Sequence, residues 1–217
     1  MSISLHKPGS WEQTGYALDV IPGNHRRVLL TRINEEFRRD FNSERIREYE
    51  VSTFFPKLAA SADMRAYAAD FASRGMLKEI GTGLTCDSVQ IALRFPGGNM
   101  VEPNWHIDGI PYAGNGVTTD AGPQCKAILG IYLSDVEREG DGELQIAPGS
   151  HLQVEEFARK HGWSTLRKGA LPEVQNRLSI WGKAGTAIIM HPQMIHRVMP
   201  NRSTNIRYAV YFRYYQR

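Results

Sequence analysis

At 217 residues, with 41% hydrophobic and 23% charged positions, the chain has the composition of an ordinary globular protein and a length suited to one large core, so a single domain spanning 1–217 is expected. A formal net charge of +3 without any block of five or six Lys/Arg gives no footprint for nucleic acid, and no apolar run approaches the roughly 18–20 residues that span a bilayer. Residues 1–13 hold no apolar run of a secretory signal, and Cys86 and Cys125 form no Cys-x-x-Cys pair, so a reduced, cytoplasmic protein without membrane partner is expected.

In chain order, residues 15–21 read as a strand closed by Pro22-Gly23-Asn24. From Arg26 to about Glu50 the apolar residues Val28, Leu29, Ile33, Phe37, Phe41 and Ile46 recur at three to five positions, which predicts a helix with a solvated charged face. Thr53 to Arg74 repeats that spacing and stops at Gly75, giving two or three helices before residue 80 and a helical support over about 25–80. The pattern then changes to period two. In Ser88–Phe95, residues 89, 91, 93 and 95 are apolar while 88, 90 and 94 are polar, so the apolar face should pack on the helices and the polar face should line a barrel. A second strand through Glu102 to Asp108 is expected next. Residues 109–124 carry four glycines and two prolines, a composition suited to a lid loop. Further strands are expected over 125–133, 143–147, 178–181, 185–190, 194–199 and 206–214, with a short helix from Leu152 to about Lys160 that Ser150 and Gln153 open as a capping box. His151 reads as structural.

The chemistry centres on Asn104-Trp105-His106-Ile107-Asp108-Gly109. On a strand, His106 and Asp108 share a face, and an imidazole beside a carboxylate is two thirds of the facial triad that holds non-haem Fe(II). A second histidine is needed from a late strand, and His191 and His196 compete for the role. On the last strand Arg207, Ala209, Tyr211 and Arg213 share one face, opposite Ile206, Tyr208, Val210, Phe212 and Tyr214. Arg207 should therefore point inward, where its guanidinium fork needs an anion such as a carboxylate.

Over roughly Val89 to Tyr214 these features, in this order, resemble the Fe(II)/2-oxoglutarate-dependent dioxygenases of the phytanoyl-CoA dioxygenase group. His106-Ile107-Asp108 looks like the family's His-x-Asp, and the segment 142–151 like its glycine-led Leu strand running into Pro-Gly-Ser-His. His196 with Asn201-Arg202-Ser203 looks like its distal His and Asn-x-Ser, and Arg207, eleven residues after His196, like its 2-oxoglutarate arginine. Asp141 stands where the family commonly carries Asn, and the chain is shorter than most members. The resemblance implies a mostly β fold with N-terminal helices and a double-stranded β-helix (jelly-roll, cupin-like) core over about 88–215. It also implies Fe(II) bound by His106, Asp108 and His196, with 2-oxoglutarate held by Arg207 and O2 as the second cosubstrate. A small organic molecule would be hydroxylated while 2-oxoglutarate yields succinate and CO2. Gln90 and Arg94, on the polar face of their strand, are the candidate substrate contacts. A halogenase would lack Asp108. A dioxygenase acting on protein or nucleic acid, and a cupin-like metal-binding protein without turnover, are the competing readings.

Overall fold

The computed structural model describes residues 10–21, 23–45, 55–73, 75–97, 101, 103–108, 125–167 and 170–216. Helix α1 (Trp11–Thr14) leads into β1 (Tyr16–Val20), and then α2 (Gly23–Asp40), α3 (Pro56–Ala59), α4 (Ala62–Ala72) and α5 (Gly75–Ile80) form the helical support. The expected helix over 26–50 ends at Asp40, because Asn42 Oδ1 accepts from Glu44 N and draws the chain into a 3-10 turn over Ser43–Arg45. Residues 46–54 lie outside the described residues. α4 starts on an N-cap, Ser61 Oγ accepting from Met64 N at 3.3 Å.

β2 (Leu84–Arg94), β3 (Ala127–Tyr132), β4 (Leu144–Ile146), β5 (Leu178–Ile180), β6 (Thr186–Met190), β7 (His196–Val198) and β8 (Arg207–Gln216) complete the strands. α6 (Ser150–His161) and α7 (Trp163–Arg167) lie between β4 and β5. The strands form an antiparallel five-stranded sheet, β1-β6-β3-β8-β2, and a three-stranded sheet, β5-β4-β7. These face each other as a double-stranded β-helix, and the inner cluster draws Ile128, Tyr132, Ile188, Met190, Ala209 and Tyr211 from the large sheet and Leu144, Ile146 and Ile180 from the small one.

The period-two expectation for β2 and β8 holds. Ile91, Leu93, Val210, Phe212 and Tyr214 pack outward with Leu29 and Ile33 of α2 and Met64 and Phe71 of α4. Each such buried side chain is worth about 1.5–3 kcal/mol. The Tyr214 hydroxyl adds a hydrogen bond to the Ala68 carbonyl at 3.0 Å, tying β8 to α4. A third cluster, with Ile107, Ala147, Val154, Ala158 and Ile195, seals α6 onto the small sheet.

Two local expectations need correction. The segment leading to Asp108 is no strand among its described residues; it is extended chain with one antiparallel bridge, His106 to His196. Pro103 has no N–H to give to a ladder there. Ser150 does not cap α6: the N-cap is Gly149 at φ 79°, while the Ser150 hydroxyl accepts from Ile195 N at 2.9 Å and donates to Met194 Sδ. The expected lid, 109–124, lies outside the described residues.

Candidate metal and cosubstrate site

His106 and His196 meet through their backbone bridge, each N–H donating to the other's carbonyl at 3.0 and 2.9 Å, which brings the two rings to 4.4 Å between centroids. Asp108 follows two residues later. The ligand atoms of His106, Asp108 and His196 all lie within 4.8 Å of one another, the only such group of three or more found among the described residues.

Each ring is oriented from behind. His196 Nδ1 lies 2.8 Å from the Met194 carbonyl and His106 Nδ1 3.2 Å from the Asn104 carbonyl. A carbonyl can only accept, so Nδ1 carries the proton in both rings and Nε2 keeps its lone pair for a metal. Burial, reinforced by His106, pushes the His196 imidazole down to about 4, which keeps it in the neutral form a ligand requires. Burial alone would raise the Asp108 carboxyl, but His196, Arg213 and His106 outweigh it and hold it below the usual range. With His196 neutral, the lasting partner is Arg213, whose Nη2 donates to Asp108 Oδ2 at 2.5 Å and to Gln90 Oε1 at 3.1 Å. Nearby, burial and the Asp108 charge push the Cys125 thiol up to about 11, so it stays protonated.

Arg207 is 1% exposed on the inward face of β8. Its Nε donates to the Gly142 carbonyl at 2.9 Å and its Nη2 to the Tyr211 hydroxyl at 3.1 Å, while its Cζ sits 5.4 Å from the centre of the Tyr132 ring. Nη1 meets no hydrogen-bond acceptor among the described residues. Glycine is required at 142, because φ is 81° and an added Cβ would come within 3.3 to 3.6 Å of Asn201, Arg94 and Arg207.

Two imidazoles and one carboxylate form a donor set that suits Fe(II), and a buried guanidinium with an unused N–H suits a dicarboxylate. The residues present therefore fit both groups. Of the other candidates, Gln90 lies within the site, hydrogen-bonded to Arg213, and Arg94 pairs in register with Arg207 at the barrel end where Asn201 Nδ2 donates to its carbonyl. His191 is placed elsewhere, its ring 4.9 Å from His151 and its Nδ1 accepting from Gln193 N. His151 Nε2 lies against the Glu12 carbonyl at 3.1 Å, a packing role. The contact between Arg213 and Asp108 was not anticipated. The only sequence signal was that Arg213 shares the inward face with Arg207.

Among solved structures, the chain resembles the α-ketoglutarate-dependent carbocyclase SnoK from nogalamycin biosynthesis with a TM-score of 0.66 and 18% identity, over 94% of this chain and 81% of that one. It resembles the non-haem monooxygenase ThoJ, in a nickel complex, with a TM-score of 0.63 and 17% identity, over 95% and 75% of the two chains. EctD from S. alaskensis, solved with bound Fe, gives 0.59 and 16% over 94% and 74%. At such identities these likenesses show the shared fold. No curated protein matches the chain. The family model of phytanoyl-CoA dioxygenase matches residues 24–209, most of the chain, which thus belongs to the phytanoyl-CoA dioxygenase family, whose enzymes use Fe(II), 2-oxoglutarate and O2.

Proposed function

We propose that this oxygenase hydroxylates a small organic molecule, with His106, Asp108 and His196 as the metal ligands and Arg207 as the anchor of 2-oxoglutarate. The observation that carries the reading is the presence of two features together: a His-Asp-His cluster built on the small sheet's β7 and the segment bridged to it, and on β8 of the large sheet a buried arginine with a free N–H among the described residues. When bound, Fe(II) with 2-oxoglutarate and O2 supplies the oxidant for a C–H bond, 2-oxoglutarate leaving as succinate and CO2.

The chain's own residues do the rest. His106 and His196 present fixed Nε2 lone pairs, and Asp108 supplies the anionic oxygen. Arg207, steadied by the Gly142 carbonyl and the Tyr211 hydroxyl, offers its remaining N–H to the distal carboxylate of 2-oxoglutarate. We assign Gln90 and Arg94 to the primary substrate. With its Oε1 engaged by Arg213, Gln90 has its amide N–H groups to offer, as sparse polar groups do in otherwise apolar pockets.

Anaerobic Fe(II) titration and succinate formation over a metabolite pool test the reading. His196→Ala should abolish tight metal binding while His191→Ala retains it; the reverse result would refute the ligand assignment. For the substrate residues, Arg94→Ala should leave metal and 2-oxoglutarate binding intact and uncouple succinate formation from hydroxylation. Unchanged coupling would return Arg94 to a structural role.

A further inference from the structure

We propose that Arg213 is a positioning residue that makes Asp108 a one-oxygen ligand, and so keeps open a metal position that the carboxylate would otherwise take. This rests on the metal reading above. The two oxygens of Asp108 have different surroundings: Oδ1 faces His196 Nε2 at 3.7 Å, within the ligand cluster, and Oδ2 is held by Arg213 Nη2 at 2.5 Å. Both side chains are less than one fifth exposed, so water screens the pair little.

Backbone register builds the arrangement. β2 pairs with β8 so that Ser88 lies opposite Arg213 and Gln90 opposite Tyr211, which sets Gln90 and Arg213 diagonally on the inward face. Gln90 Oε1 then takes a second hydrogen bond from the same Nη2 and turns the guanidinium toward Asp108. A carboxylate with both oxygens free can bind a cation through one or both. Three protein donors leave three places on a six-coordinate ion, which is the number that a chelating 2-oxo acid and O2 together need. A second oxygen from Asp108 would remove one of them. Arg213 occupies that oxygen with a charge-assisted hydrogen bond, and its cation also opposes the approach of the metal to Oδ2.

The test uses Mn(II), a paramagnetic ion that does not react with O2, and reads water-proton relaxation of the purified protein with Mn(II) and 2-oxoglutarate. Wild-type protein should show the enhancement of one exchangeable water. Arg213→Met should bind Mn(II) and lose at least four fifths of that enhancement, and Arg213→Lys, which restores the cation, should recover about half. A folded Arg213→Met protein with wild-type enhancement overturns the proposal, since a merely structural arginine would leave the water in place. Should circular dichroism show that Arg213→Met does not fold, Gln90→Leu carries the test. It keeps Arg213 but removes the acceptor that aims it, and the enhancement should fall about twofold; an unchanged value overturns the proposal. Failure of the wild type itself to bind Mn(II), or retention of Mn(II) by His196→Ala, would instead count against the metal reading.

Discussion

Side chains on the helix-facing side of β8 and those on its barrel-facing side answer to opposite forces. Tyr208, Val210, Phe212 and Tyr214 face α2 and α4, where removing apolar surface from water is favourable by itself and size and shape set the value. On the other side, Arg207 and Arg213 are charges that burial penalises. They differ between themselves as well: Arg213 is neutralised by Asp108, whereas Arg207 meets a carbonyl, a phenol and a ring face and has no carboxylate partner among the described residues. Packing accounts for the outer face, and only chemistry accounts for a half-satisfied guanidinium on the inner one.

The largest expected effect breaks the outer face. Phe212→Ala should cost about 4 kcal/mol of stability in denaturant titration. Because Phe212 shares one cluster with Leu29, Met64 and Phe71, the helical support and the barrel should lose stability together in a single transition. A separate early melting of the helices would show that they form an independent unit.

Arg207→Met is expected to do the opposite. Replacing an incompletely paired buried cation by an apolar chain of similar length should leave stability unchanged or raise it. The 2-oxoglutarate requirement should rise roughly 100-fold, the loss of about 3 kcal/mol of charge-assisted hydrogen bonding. A large fall in stability with unaltered cosubstrate dependence would place Arg207 with the packing residues.

An intermediate effect probes the barrel-facing side. Gly130 on β3 lies beneath the Tyr211 ring, and an added Cβ would come within 2.7 Å of it. Gly130→Ala should cost about 1–3 kcal/mol through overpacking. By displacing the hydroxyl that steadies Arg207 it should also weaken 2-oxoglutarate binding by a smaller factor than Arg207→Met does. Unaltered cosubstrate binding in the folded variant would show that Arg207 does not need Tyr211.

What the sequence made legible follows the same division. Period-two alternation is a property of each strand alone, so the faces of β2 and β8, and the inward placement of Arg207, could be read directly. The Asn201-Arg202-Ser203 turn after β7 was legible too, since Asn201 Oδ1 accepts from Ser203 N and its Nδ2 donates to the Arg94 and Asn205 carbonyls. The partner of Arg213 was not legible, because Asp108 lies 105 residues away and the contact depends on the bridge that sets the 103–108 segment beside His196 of β7. Ser150 misled for a related reason: its hydroxyl bonds Ile195, 45 residues on, rather than its own helix. Helices α1 and α7, of four and five residues, are too short for a periodic pattern to mark.

The smallest effect separates a histidine buried by packing from the histidines of the site. His191 lies beside His151 and 6.2 Å from the Trp11 ring, and burial, with His151 and Lys126 adding to it, pushes its imidazole down to about 4. Burial lowers His151 as well, against the pull of the Glu12 carbonyl. In the unfolded chain both would take up a proton near the ordinary value of about 6.5. Between about pH 6.5 and 4 the unfolded state therefore binds more protons than the folded one, and stability falls as pH is lowered through that window. The contribution is complete above about 6.5. Since the His191 side chain is only partly buried, its share after solvent screening is about 1 kcal/mol. Replacing it by glutamine should flatten the fall in thermal midpoint between pH 7 and 4.5 without changing metal affinity, whereas His196→Gln should lose metal affinity at every pH. A His191→Gln protein whose pH profile matches the wild type, measured without metal, would mean that the acid sensitivity comes from elsewhere in the fold.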